Sequence, residues 1–81
     1  MNATPKFGQT VINHWASDSN PRRVGMFVRQ GAWIGRMNRG TYWELTDGRG
    51  DFWEQRTGGA ARLEVIPVGD PRALSIPGAR A

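Results

Sequence analysis

Eighty-one residues, with eleven cations against seven carboxylates and no cysteine, make one small domain without disulfide, zinc-thiolate or thiol chemistry. A chain this short buries only about 60–65% of its unfolded surface, so four Trp, three Phe and one Tyr must supply much of its apolar burial. No apolar run reaches the roughly 18 residues of a membrane span, and MNATPKFGQT lacks the apolar stretch of a secretion signal. A soluble, cytoplasmic protein with no membrane partner is expected.

In chain order, residues 1–6 read as a flexible N-terminus. FGQTVINHW (7–15) is rich in β-branched and aromatic residues and reads as a strand. SDSNP (17–21) is a turn, in which Pro21 holds Asn20 away from the α region. RRVGMFVRQ (22–30) alternates, with Val24, Met26 and Val28 on one side and Arg23, Gly25, Phe27 and Arg29 on the other. GAWIGRMNRG (31–40), with three glycines, reads as a long loop or an irregular hairpin end. TYWELT (41–46) and DFWEQR (51–56) are strands around the turn DGRG. TGGAA (57–61) turns the chain into a closing strand, RLEVIPV (62–68). Residues 69–81, GDPRALSIPGARA, have no periodicity and read as a loose tail. No segment offers ten residues at helical spacing, so the fold is expected to be all-β.

The register of the 41–56 hairpin follows from its turn and its charges. A two-residue turn at Gly48-Arg49 sets Leu45 against Phe52 and Glu44 against Trp53, whereas a longer loop sets Glu44 against Glu54, a like-charge pair. The first register is therefore expected. It puts Trp43, Leu45 and Phe52 in the core with Val11, Val24, Met26, Val28, Leu63 and Val65, and leaves Tyr42 and Trp53 outside. Gly48 or Gly50 is expected at positive φ.

Five short strands, a long central hairpin and a terminal L-E-V-I strand resemble a five-stranded SH3-like barrel over residues 7–68. Within that class, the NPRRVG (20–25) and YWELTDG (42–48) segments are similar to small uncharacterised proteins of phages and mobile elements. The F-G near the start and the closing strand before a proline also resemble the plasmid-borne type II dihydrofolate reductases. That family lines a tetramer pore with a Val-Gln-Ile-Tyr stretch, and DFWEQR and RLEVIP do not supply it. Its activity is not carried over.

Catalytic chemistry finds little foothold. His14 is the single histidine, and a lone strand histidine is more often structural than catalytic. Asp47 and Asp51 flank a turn, where Asp is favoured for its bonds to backbone amides. No metal-ligand spacing, phosphate loop, nucleophile elbow or dinucleotide fingerprint occurs, so no catalytic residue, metal or cofactor is expected. The Arg-Gly-Asp tripeptide at 49–51 is explained by the hairpin turn.

Binding finds more. Arg23, Phe27, Arg29, Tyr42 and Trp53 would form an outward face of interleaved arginines and rings, a surface that stacks bases and neutralises phosphates. Trp33, Arg36 and Arg39 would extend it on the 31–40 segment, where Ile34 is costly to expose without a partner. The bland reading is that these rings pack beneath loops, and that the Arg excess reflects codon bias. Glu44 and Glu54 oppose phosphate locally and suit a cationic peptide instead. The expected function is a non-enzymatic SH3-like module that attaches to nucleic acid or to a nucleic-acid-handling protein. The alternatives are a protein–protein adaptor or homo-oligomer using the aromatic face, and an oligomeric pore-type enzyme.

Overall fold

The computed structural model describes residues 4–58 and 62–74. Where the sequence alternates β-branched and aromatic residues the chain is extended, as β1 (Thr10–Asn13), β2 (Val24–Ile34), β3 (Arg39–Thr46), β4 (Phe52–Arg56) and β5 (Leu63–Val65). All pairings are antiparallel and the sheet order is β4-β3-β2-β1-β5. A meander whose last strand returns beside the first is the SH3-like arrangement, so the expected all-β, five-stranded fold holds.

Of the two readings of 31–40, the hairpin end holds and the long loop is corrected. β2 runs on to Ile34 and β3 begins at Arg39, with Gly35 N–H donating to the Asn38 carbonyl at 2.6 Å. Only Arg36 and Met37 lie at the tip. The glycines that suggested a loop instead lie inside strands or beside the turn.

A second correction concerns β2. Its pairing with β3 shifts between Phe27 and Arg29, so that Phe27 faces Leu45 while Arg29 faces Glu44. Such a bulge sets two residues against one and reverses the alternation beyond it. Phe27, before the bulge and opposite Leu45, points into the core, 6% exposed, and meets Trp43 edge-on at 5.9 Å between ring centroids. Arg29 still points out. Simple alternation assigned both residues to one face, and the bulge separates them. Val24 and Val28, expected in the core, are only half-buried.

The hairpin register is the third correction. Leu45 pairs with Trp53, Glu44 with Glu54 and Thr46 with Phe52. Trp53 is 8% exposed and Phe52 is 55% exposed, the reverse of the expected assignment. The turn decides this. Asp47 Oδ1 accepts the N–H groups of Arg49 (2.7 Å) and Asp51 (3.1 Å), while Thr46 Oγ1 accepts from Gly48 (3.0 Å) and donates to the Asp51 carbonyl (2.8 Å). Four such bonds at about 0.5–1.5 kcal/mol net each outweigh a like-charge pair costing at most about 1 kcal/mol. Arg29 also relieves that pair, with Nε 2.7 Å from Glu44 Oε1. Both Gly48 (φ 77°) and Gly50 (φ 109°) take positive φ, as the turn composition implied.

The principal core joins Val11, Phe27, Trp43, Leu45 and Trp53, with Leu63 and Val65 packed against it. Gly25 lies beneath Trp53, where an added Cβ would come within 2.7 Å of the indole. On the other side of the sheet, Thr10 pairs with Met26 and Met26 with Thr46, and all three are buried. The chain beyond β5 closes this side. Ile66 is fully buried, its N–H donates to the Thr10 carbonyl, and Leu74 N–H donates to Thr10 Oγ1 at 2.7 Å. Of the segment read as a tail, residues 69–74 are thus tied to β1, and 75–81 lie outside the described residues. Of the expected N-terminal arm, residues 1–3 also lie outside them, and Pro5 is buried.

Candidate functional site

The outer face of β2, β3 and β4 is assembled from residues two apart along each strand. Arg29 stands opposite Glu44, Gly31 opposite Tyr42, and Trp33 opposite Gly40. Across β3, Tyr42 stands opposite Arg56 and Glu44 opposite Glu54. The glycines let the rings lie flat. An added Cβ at Gly31 would collide with the Tyr42 ring, and one at Gly40 would sit 2.9 Å from Trp33 Nε1. Glycine within a strand often marks such a close approach.

Each ring also carries a guanidinium. Arg56 Cζ lies 4.0 Å from the Trp33 ring centroid, and Arg29 Cζ lies 5.7 Å from that of Tyr42. Both distances are within the reach of cation–π attraction, worth roughly 0.5–1 kcal/mol at exposed sites. The Tyr42 hydroxyl, and then the Glu44 carboxylate, hold Arg29 more firmly protonated than an ordinary arginine.

Sequence-based expectations meet this geometry unevenly. Arg29, Trp33 and Tyr42 come together on one face, and Arg36 and Arg39 are exposed at the distal end of the same hairpin. Phe27 and Trp53 do not belong to this surface because both are core. Arg23 does not join it either. Its guanidinium donates to the Ala16 carbonyl and lies near Asp18 (3.5 Å), which pins the turn between β1 and β2. Arg56 was missed. Its partner Trp33 is on β2, two strands away, and only Gly40 on the intervening strand hinted at the crossing.

Charge is distributed unevenly along the hairpin. Near the barrel, Glu44 pairs with Arg29 and Glu54 is exposed beside it. Farther out, residues 30–43 contain Arg36 and Arg39 and no carboxylate. Arg36, Arg39 and Arg56 make no ion pair among the described residues.

Elsewhere the titratable groups are used structurally. His14 Nε2 lies 2.8 Å from Glu64 Oε1, and Arg72 reaches both Glu64 and Asp70 at 3.2 Å. Arg22 forms a two-point contact with Asp51 (2.9 and 3.0 Å) and lies over Trp53 at 5.3 Å. Among the described residues, no group of three or more His, Asp or Glu could hold a metal ion. No helix among them is long and apolar enough to cross a membrane.

The fold and this surface define a small SH3-like barrel carrying an extended Arg/aromatic hairpin. No protein-family model matches the chain, and no curated protein or solved structure gives a significant match. Function is therefore read from the site alone.

Proposed function

We propose that this protein is a non-enzymatic binding module that attaches to nucleic acid through the β2–β3 hairpin and the adjoining face of β4. The observation that carries the reading is the carboxylate-free outer hairpin: Arg36 and Arg39 on it, and Arg56 on the adjoining β4, make no ion pair among the described residues. Arginine without an internal partner keeps its fork available for phosphate. Trp33 supports this by holding Arg56 in place, which lowers the entropy lost when its N–H groups are engaged.

Salt titration tests the reading. Neutralising about three phosphates gives a slope of about −2.7 in log affinity against log salt, or a loss of roughly 40-fold between 50 and 200 mM. Arg36→Ala/Arg39→Ala/Arg56→Ala should abolish most of that slope while the protein stays folded. A wild-type affinity that ignores salt would reject nucleic acid. The surface would then pass to a protein partner, for which the exposed Glu54 and Phe52 on β4 supply acidic and apolar contacts.

A further inference from the structure

The rings on this face are already occupied. Trp33 lies against Gly40 and has the Arg56 Cζ 4.0 Å from its ring centroid, and Tyr42 crosses Gly31 with Arg29 on its ring. A base stacking on either ring would have to displace the guanidinium already held there, so the usual single-strand platform of open aromatic rings is not what this surface offers.

What stays open is the end of the hairpin. Beyond Thr41 the two strands pair only with each other, because β1 reaches no farther along β2 than Phe27 and the β4 side bonds β3 no farther out than Thr41, through Thr57. At about 3.3 Å per residue this arm extends roughly 15 Å past its neighbours. At its end Ile34, opposite Arg39, is 86% exposed, and Met37, between Arg36 and Arg39, is 93% exposed. Two unsupported apolar side chains flanked by cations suit a ligand that is anionic outside and apolar within.

Resting on the nucleic-acid reading above, we propose that the ligand is double-stranded DNA and that the arm's tip enters its minor groove. Met37 and Ile34 wedge at a base step while Arg36, Arg39 and Arg56 engage the flanking phosphates. Apolar wedges of this kind unstack a step and kink the duplex toward the major groove. A ribbon of two strands about 4.8 Å apart, with side chains on both faces, is too wide for a minor groove of about 6 Å. Only the tip enters until the kink opens the groove, and a flexible TA step opens most readily. Duplex RNA, with its wide and shallow minor groove, gives the wedge less to grip.

The experiment compares three probes with the full chain: a 20-bp DNA duplex with a central TA step and a dye at each end, one of its strands alone, and phosphatidylserine vesicles. The duplex should bind at least about tenfold tighter than the strand, and binding should raise energy transfer between its ends. Ile34→Ser/Met37→Ser, at exposed positions that leave the core intact, should abolish that rise and lower affinity about tenfold with the salt slope unchanged. Arg36→Ala/Arg39→Ala should instead reduce the slope by about 1.8. If the strand binds as well as the duplex, or the tip variant bends DNA like the wild type, the wedge is wrong although the nucleic-acid reading stands. If neither nucleic acid binds in a salt-dependent way, both fall. Vesicle binding without duplex binding would also overturn the wedge, leaving the arm as a lipid contact.

Discussion

At the residue scale, two glycines that lie under rings decide which substitutions the sheet tolerates. Gly25 lies under the buried Trp53 and Gly31 under the half-exposed Tyr42. A methyl group at Gly25 meets a ring that cannot retreat, and overpacking of that kind costs about 1–3 kcal/mol. A methyl group at Gly31 meets the outer end of a ring that can swing toward solvent. Urea denaturation should therefore show Gly25→Ala clearly destabilised and Gly31→Ala nearly unchanged. The rings should differ in the same way. Trp53→Ser should remove about 3–5 kcal/mol, the range for large aromatic truncations in cores, and leave little of a small domain's stability. Tyr42→Ser should melt within a few degrees of the wild type. Equal thermal shifts for the two would contradict the inward placement of Trp53.

At the element scale, the β3–β4 turn and the segment after β5 can be probed separately. Gly50 sits at φ 109° with nothing within 4 Å of an added Cβ, so a side chain there costs backbone strain and no clash. Gly50→Val should destabilise by roughly 1–3 kcal/mol. Asp47→Ala removes the acceptor of two backbone N–H groups and should cost about 1–3 kcal/mol. Chemical denaturation of the two variants measures both. The segment after β5 is held partly by Glu64, whose carboxyl is kept below its ordinary range by His14 first and Arg72 next. Arg22 does the same for Asp51, and Arg72 for Asp70. A carboxyl depressed in the folded state contributes stability that is fully present above its unfolded value, about 4.3 for Glu and 3.9 for Asp. That contribution is lost as pH falls through the lower folded value. The melting temperature should hold level, as far as these groups govern it, from neutral pH to about pH 5 and fall below about pH 4. All three groups are only partly buried, so the fall should be shallow and should lessen further in Glu64→Gln. A steep loss already at pH 6 would require a different titrating group.

At the scale of the whole molecule, the long axis of 42 Å against 26 and 22 Å sets an extended hairpin beside a barrel only a few side chains across. The barrel's stability depends on few residues. Leu45→Ala, at the centre of the core, should cost about 2–5 kcal/mol and shift the thermal midpoint by well over 10 °C for a domain this small. The arm contributes little burial, so charge and apolar substitutions at its tip should separate binding from folding. A tip variant that unfolds the barrel would show that the arm is part of the core's support.

The sequence by itself determined the all-β class, the number and order of strands, the glycine turn at 48–50 and about half of the core. These depend on local chemistry, through β-branched alternation, turn formers and the conformational freedom of glycine. It also marked Arg29, Trp33, Tyr42, Arg36 and Arg39 as a surface, because arginines and rings recur there without acids between 30 and 43. Only the tertiary structure decided which rings face inward. Pairing with Leu45 sets Phe27 in the core and one extra residue at Val28 keeps Arg29 outside, and alternation cannot reveal a bulge that depends on the partner strand. The turn's hydrogen bonds, made by Asp47 and Thr46 side chains, fixed a register that charge repulsion alone argued against, and so exchanged Trp53 for Phe52. Arg56 over Trp33 joins β4 to β2 across a glycine, a contact that exists only once three strands lie side by side.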